Sequence, residues 1–198
     1  MRRPSPTTIP DPFAAYRTEI ERLRGADRLR TIRAAETGAG PRINRDGRSL
    51  VNFGSNNYLG LAEHPRVKAA AIRAIEREGV GAGASRLLTG DRAVHDELEA
   101  ALARLKGTEA ALVFPTGYQA NVGVISSLMG RGDLILADRD CHASLIDGCR
   151  ASGARFRVYR RDRLDHLQTA LTRRPPTGRT LIVTDSVFSM EGDLAPLP

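Results

Sequence analysis

Polar residues that could bind a cofactor or a substrate follow three predicted strands of this chain. They are Thr116, Gly117, Tyr118, His142, Asp185 and Ser189. In an open α/β sheet, ligands bind at the carboxyl ends of the strands. We therefore expect these residues to face one crevice.

The segment around Thr116 has the chemistry of a phosphate site. A predicted helix begins there, and the first turn of a helix carries free N–H groups and about half a positive charge. Gly117 would permit a close approach to an anion, and Thr116 adds a hydroxyl group. The alternative is that Thr116 is an ordinary helix N-cap.

Single polar groups follow the other strands. An imidazole at His142 could stack on a planar ring or act as an acid or base, although a lone histidine is more often a capping or surface group. The Ser189 hydroxyl could bind a ring substituent, and Asp185 could orient a neighbour. The Asn56 amide could reach a substrate carboxylate, unless it is a turn residue. Pyridoxal phosphate (PLP) combines a phosphate, a flat ring and ring substituents.

Strand and helix patterns alternate along most of the chain, which predicts a three-layer α/β fold with a mostly parallel sheet. Residues 1–47 form a predicted lead-in and helical arm, and residues 48–198 form a predicted PLP-binding α/β domain. The predicted helices are residues 12–33, 65–78, 91–107, 117–129, 143–151 and 163–172. The predicted strands are residues 48–53, 110–114, 134–137, 155–159 and 180–183.

Composition argues against several classes of function. The net charge is +7, but the arginines are interleaved with acidic residues and only 5% of residues are aromatic, so we expect no nucleic-acid partner. No apolar run is long enough for a membrane helix, and the first residues lack a secretory pattern, so we expect a cytoplasmic protein. Cys141 and Cys149 have neither metal-site nor disulfide spacing, and Cys141 is unfavoured as a nucleophile beside His142.

Four segments of the chain resemble the α-oxoamine synthases, a family of fold-type I PLP enzymes. They occur in the family's order, and the resemblance covers about residues 15–198. The segments are Ser55–Leu61, Thr116–Asn121, His142–Ser144 and Thr184–Asp193.

The resemblance implies roles for individual residues. Gly117 and Tyr118 contribute to the cofactor site, His142 stacks on the pyridine ring, and Ser189 hydrogen-bonds the cofactor. Asn56 approaches the substrate carboxylate, and Arg30 contacts the acyl substrate.

The family's cofactor-binding lysine and the aspartate that pairs with the pyridinium nitrogen come after the segment equivalent to Pro198. The lysines of this chain are Lys68 and Lys106. The resemblance thus implies the N-terminal half of an enzyme that is a homodimer when complete. We expect this half to be inactive alone, because it would lack the covalent anchor of the cofactor.

The resemblance implies decarboxylative condensation of an amino acid with an acyl-CoA. L-Alanine and a pimeloyl-type thioester, as in biotin biosynthesis, are the favoured substrates. Glycine C-acetyltransferase and 5-aminolevulinate synthase are alternatives within the family. A non-catalytic remnant or interaction module is the alternative of another class.

Overall fold

The structure is a computed structural model, and it describes residues 11–36, 39–173 and 177–197. The chain divides into two compact units, Met1–Gly81 and Ala82–Pro198. The predicted lead-in lies almost wholly outside the described residues. In the described part of the chain, every helix is too short or too polar to cross a bilayer.

The described residues of the first unit contain two α-helices, a short 3-10 helix (Leu61–Glu63) and a hairpin. Helix α1 spans Ala14–Gly25 and helix α2 spans Pro65–Glu78. The prediction for α2 is confirmed: Pro65 occupies the first turn, where its missing N–H costs nothing. The predicted helix 12–33 is too long, because the chain leaves the helix at Gly25 and Asp27 adopts a φ of 52°.

A β-hairpin replaces the single predicted strand 48–53. Strands β1 (Arg42–Arg45) and β2 (Arg48–Val51) pair antiparallel, with Arg45 opposite Arg48. The two residues between them, Asp46 and Gly47, have φ values of 50° and 70°. An Asp-Gly pair with both φ angles positive is a preferred two-residue hairpin turn, so the sequence contained this signal.

The second unit is built on a parallel sheet of strands β3 (Leu134–Asp138), β4 (Arg155–Tyr159) and β5 (Thr180–Val183). Among the described residues the strand order is β4-β3-β5. The helices of this unit are α3 (Ala93–Lys106), α4 (Gly117–Leu128), α5 (Ala143–Ala151) and α6 (Leu164–Arg173). A turn of π-helix, Arg86–Gly90, precedes α3.

Helices cover both faces of this sheet. All five residues of β3 are buried, and successive side chains enter opposite cores because a strand alternates its side chains. Ile135 and Ala137 pack in a core with residues of α4 and α5. Leu134 and Leu136 pack in a second core with Leu167 of α6. This arrangement confirms the predicted three layers.

The predicted strand 110–114 is wrong, since these residues form no strand. β3 has a strand on each side, and the Val113 N–H instead donates to Glu99 Oε1 at 2.8 Å. Glu99 also accepts two hydrogen bonds from Arg86. The Arg86 bonds, followed by the Val113 bond, lower the pKa of Glu99 to about 2. The segment thus satisfies a backbone donor with a side chain of α3.

Helix α3 begins at Ala93, and its N-cap is Arg92. The predicted helix 91–107 therefore begins two residues too early, and α3 excludes Asp91. Its carboxylate accepts a hydrogen bond of 2.7 Å from Arg86 Nε. An ion pair with Arg86 thus engages the Asp91 side chain outside the helix.

Asp133 joins the amino ends of the three parallel strands. Its buried carboxylate accepts hydrogen bonds from the backbone N–H groups of Gly130 and Arg179 and from the Arg179 guanidinium, at 2.7–3.0 Å. Its carbonyl oxygen accepts from the N–H of Arg155. The backbone bond of Arg179, and after it that of Gly130, lowers the pKa of Asp133 below its ordinary value of 3.8.

We predict that Asp133→Asn lowers the midpoint of urea unfolding, because the amide keeps the shape of the carboxylate but loses its charge. The folded-state pKa is depressed, so this contribution is present above the unfolded pKa of about 3.9 and is lost as the pH falls through the folded value. The difference from the parent chain should therefore shrink below about pH 4. Asp162→Asn, at an exposed carboxylate, is the control, and equal effects of both variants would contradict the assignment.

Candidate functional site

The carboxyl ends of β3 and β5 lie side by side, and the segments that follow them are bonded together. Ala137 is paired with Val183 in the parallel ladder. The backbone N–H of His142 donates to Asp185 Oδ2 at 2.8 Å. Asp185 therefore fixes the position of the His142 backbone at the start of α5.

His142 is the N-cap of α5. Its Nδ1 accepts a hydrogen bond of 3.2 Å from the backbone N–H of Ser144. The capping role weighed for a lone histidine is thus present, and the His142 residue is also exposed at the strand exit. The ring is held by one nitrogen, which leaves the Nε2 edge for other contacts.

Buried polar groups join α4 to α5 beneath this ring. Ser144 is 0% exposed, and its Oγ lies 2.7 Å from His142 Nδ1. Asn121 Nδ2 of α4 donates to the same Oγ at 2.8 Å. Sequence reasoning gave neither Asn121 nor Ser144 a role of its own, although both lie in the segments that carry the family resemblance.

The start of α4 is an exposed helix N-terminus. Thr116 is its N-cap, and its hydroxyl oxygen accepts from the N–H of Gln119 at 3.1 Å. Gly117 is the first helical residue, and a Cβ placed there would meet no atom within 4 Å. Thr116 is thus an N-cap in the ordinary sense, and the space in front of Gly117 is open to an anion.

Tyr118 is connected to α5. Its hydroxyl group donates to Asp147 Oδ2 at 3.0 Å. This bond, together with the negative charge of Asp147, raises the pKa of Tyr118 above its ordinary value of 10.0. The hydrogen bond holds the tyrosine ring, half of which is exposed, beside the amino end of α4.

Ser189 lies exposed in a turn after β5. The N–H of Gly192 closes this turn by donating to the carbonyl of Phe188 at 2.8 Å. The guanidinium carbon of Arg161 lies 4.0 Å from the centre of the buried Phe188 ring. Arg161 also pairs with Asp193 at 2.7 Å and with Asp140 at 2.9 Å, so it ties the Ser189 turn to the segment after β3.

Cys141 is not suited to nucleophilic chemistry. Its thiol is buried and lies 3.6 Å from the carbonyl oxygen of Val183. Burial raises its pKa to about 12, with further contributions from the charges of Asp185 and Asp138. A cysteine reacts as the thiolate, so this one stays protonated at neutral pH.

The two residues expected to contact substrates belong to the first unit. Asn56 is exposed, and its Oδ1 accepts a bond of 3.3 Å from the Tyr58 hydroxyl. Asn57 shapes the loop instead, since its amide bonds the backbone of Ala39 and Ala62. Arg30 is exposed after α1. Their roles remain predictions.

Within the second unit, hydrogen bonds thus connect the segments of Tyr118, His142 and Asp185. Thr116 and Gly117 directly precede Tyr118, and Ser189 lies on a separate, anchored turn. An anion could bind at the start of α4, and a planar group could contact the Tyr118 and His142 rings. These residues suit the phosphate and ring of PLP.

Comparisons with known proteins agree with this arrangement. Residues 48–198 match the family described as aminotransferase class I and II. The 8-amino-7-oxononanoate synthase of Geobacter sulfurreducens is 52% identical over 180 residues, which cover 91% of this chain and 46% of that protein. The chain spans about half the length of the curated relatives it matches.

Solved structures share the fold. Serine palmitoyltransferase from S. paucimobilis, with a bound PLP–myriocin aldimine, has a TM-score of 0.83 at 36% identity, over 93% of this chain and 47% of that one. The 8-amino-7-oxononanoate synthase from Francisella tularensis has a TM-score of 0.59 at 29% identity, over 72% of this chain and 39% of that one. The predicted fold class and the family resemblance are confirmed.

We predict that Asp147→Asn lowers the pKa of Tyr118, because the variant removes the carboxylate charge that disfavours ionisation of the phenol. Tyrosinate absorbance measures this titration, and the absence of Trp keeps the band clear. The difference from Tyr118→Phe isolates the Tyr118 signal from those of the other tyrosines. An unchanged Tyr118 titration in Asp147→Asn would show that the hydrogen bond is absent in solution.

Proposed function

The chain belongs to the aminotransferase class I and II family, and we propose that the complete enzyme is a PLP-dependent α-oxoamine synthase. It condenses an amino acid with an acyl-CoA thioester and releases carbon dioxide and CoA. We propose L-alanine and a pimeloyl-type thioester as substrates, which places the reaction in biotin biosynthesis. The enzyme would be a cytoplasmic homodimer.

One observation carries this proposal: hydrogen bonds tie the segments after β3 and β5 and the amino end of α4 into a single polar site. The His142 N–H contacts Asp185 at 2.8 Å, and the Tyr118 hydroxyl contacts Asp147 at 3.0 Å. Gly117, at the open amino end of α4, directly precedes Tyr118. A shared fold alone would not justify a function. The groups gathered here, in contrast, suit a phosphate and a planar ring.

We assign the cofactor's phosphate to the amino end of α4, where Thr116 and Gly117 supply backbone and hydroxyl donors. The ring of the cofactor would lie against His142, and the Ser189 hydroxyl would bond one of its substituents. When bound, PLP supplies the electron sink that stabilises negative charge on the substrate's α carbon. The protein's own part is to bind and orient the cofactor.

Neither lysine of this chain is among the residues assigned to the cofactor. Lys68 is on α2 and pairs with Glu63, and Lys106 is the last residue of α3. In the family, the lysine that binds the cofactor follows the segment matched here. We therefore propose that residues 1–198 supply the phosphate, ring and substituent contacts, and that the covalent anchor belongs to the complete protein.

A second candidate reaction is condensation with a longer acyl chain. The structural likeness to serine palmitoyltransferase, with a TM-score of 0.83, favours it. The sequence identity of 52% to an 8-amino-7-oxononanoate synthase favours the pimeloyl-type substrate. Both candidates use the same cofactor site, and they differ in the acyl substrate and in the amino acid, which is serine for the second candidate.

The test is expression of the complete coding sequence, followed by assay of purified protein with PLP and a panel of substrates. Pimeloyl-, acetyl-, succinyl- and palmitoyl-CoA are each paired with alanine, glycine and serine, and CoA release is measured. We expect the highest kcat/KM with alanine and pimeloyl-CoA. A preference for serine with palmitoyl-CoA would select the second candidate. Absence of both PLP binding and CoA release would refute the enzyme and favour an interaction module.

We predict that Gly117→Ala weakens PLP binding by at least about tenfold, equivalent to about 1.4 kcal/mol, because the added methyl group occupies the phosphate's approach. Stability should change by less than about 1 kcal/mol, since the methyl group meets no protein atom. The matched control is Gly130→Ala, where a Cβ also meets open space at the other end of α4. Equal PLP affinities for the two variants would refute the phosphate assignment.

We predict that His142→Asn lowers kcat while the thermal unfolding temperature stays close to that of the parent protein. Asparagine is a good N-cap, so the variant keeps a cap for α5 while it removes the ring. His142→Ala should lose the ring and also about 1 kcal/mol of stability from the lost cap. Parallel measurement of kcat and thermal unfolding separates the two effects. Wild-type turnover in His142→Asn would exclude a role of the ring in the reaction.

A further inference from the structure

The hydrogen bonds around His142 leave only one self-consistent arrangement of protons. A backbone N–H can only donate, so Nδ1 of His142 is the acceptor in its bond of 3.2 Å from Ser144. Nδ1 therefore carries no proton in this geometry. In a neutral imidazole the proton must then be on Nε2.

The Ser144 hydroxyl group follows from this assignment. Its oxygen lies 2.7 Å from Nδ1, and an unprotonated Nδ1 can only accept, so the hydroxyl donates to it. The hydroxyl oxygen then has lone pairs free, and Asn121 Nδ2 donates to them at 2.8 Å. The amide of Asn121 has to present its nitrogen here, because its oxygen would compete with Nδ1 for the only hydroxyl proton.

We propose that Asn121 and Ser144 are positioning residues that hold the His142 ring in the Nε2–H tautomer. Ser144 is fully buried, so its hydroxyl bonds are shielded from competing water. The direction of donation runs from Asn121 through Ser144 to Nδ1. Second partners of this kind commonly fix the tautomer and the orientation of a functional histidine.

What the Nε2–H tautomer of His142 means for the site rests on the proposed function. A histidine in this tautomer presents an N–H donor at the exposed Nε2 edge, and it has no lone pair there to take up a proton. Of the roles weighed for His142, the structure therefore assigns ring contact and hydrogen-bond donation to an oxygen of the bound ligand. The role of general base is left to another group.

Two variants change the network in different ways. Ser144→Ala removes the hydroxyl donor and leaves the backbone donor in place. Asn121→Asp keeps the side-chain shape but offers only acceptors, so the Ser144 hydroxyl turns toward the introduced carboxylate and away from Nδ1. Ser127→Ala is the matched control, since Ser127 is an exposed serine on α4 that donates to Val124 of its own helix.

The measurement is long-range proton–nitrogen NMR of the protein expressed from its complete coding sequence and labelled with 15N-histidine. The spectrum distinguishes protonated from unprotonated ring nitrogens, and His142→Asn identifies the His142 signals by difference. We expect an unprotonated Nδ1 in the parent protein and in Ser127→Ala. The hydroxyl group at 2.7 Å is the shorter of the two donors to Nδ1. Its loss in Ser144→Ala and Asn121→Asp should let the ring turn away from the longer backbone contact, so that a measurable Nδ1–H population appears. Asn121→Asp carries the test if Ser144→Ala does not fold, because it creates no cavity.

Turnover gives a second readout on the same proteins. We expect kcat to fall about tenfold in both variants, the effect of one typical hydrogen bond, with the control unchanged. A protonated Nδ1 in the parent, or a tautomer that neither variant alters, would overturn the proposal. The NMR result needs no cofactor, so a protein that fails to bind PLP refutes the proposed function alone.

Discussion

The parallel pairing of β3 with β5 is the constraint on which the rest of the second unit depends. β3 is buried on both faces, so its register is fixed by two cores at once. That register sets Ala137 beside Val183 and brings the next few residues of both segments together. The bond from the His142 N–H to Asp185 needs this alignment, since a slip by one residue would displace the two segments by about 3.3 Å and separate donor from acceptor.

The close approach of α4 and α5 is a second constraint, and it depends on Gly148. A Cβ at that position would lie 3.0 Å from the carbonyl oxygen of Asn121 and 3.2 Å from Val122 Cα, both in α4. These distances are shorter than nearly all Cβ contacts in proteins, so a side chain at position 148 would push the two helices apart. The Asn121–Ser144 and Tyr118–Asp147 hydrogen bonds need the helices at this separation. Gly148 therefore sets the separation of α4 and α5, and through it the positions of the Tyr118 and His142 rings.

Much of this fold follows from local sequence pattern, and the failures have physical causes. Predicted bounds coincide with α5, β4 and β5, because short apolar runs between turn residues report local structure directly. The run 110–114 is apolar too, but a strand also needs a neighbouring strand, and no local pattern specifies one. The prediction of a single strand over 48–53 misses the β1–β2 hairpin, although its Asp46-Gly47 turn is visible in the sequence. For the site, the strand-exit rule identified His142 and Asp185, whereas the contacts of Arg161 and Ser144 depend on residues that are remote in sequence.

Among the many arginines of the chain, Arg161 has a distinct structural role. Several arginines of the second unit, among them Arg139, Arg160 and Arg163, pair with exposed carboxylates nearby in sequence, and such pairs add little to stability. Arg161 is only 16% exposed, and it reaches Asp138 at the end of β3, Asp140 just after it and Asp193 after β5. A planar guanidinium can do this while it stacks on Phe188, which an ammonium group could not. The turn that carries Ser189 is therefore anchored by one cation shared among three carboxylates, and the position of its hydroxyl is set from the same strand end as that of His142.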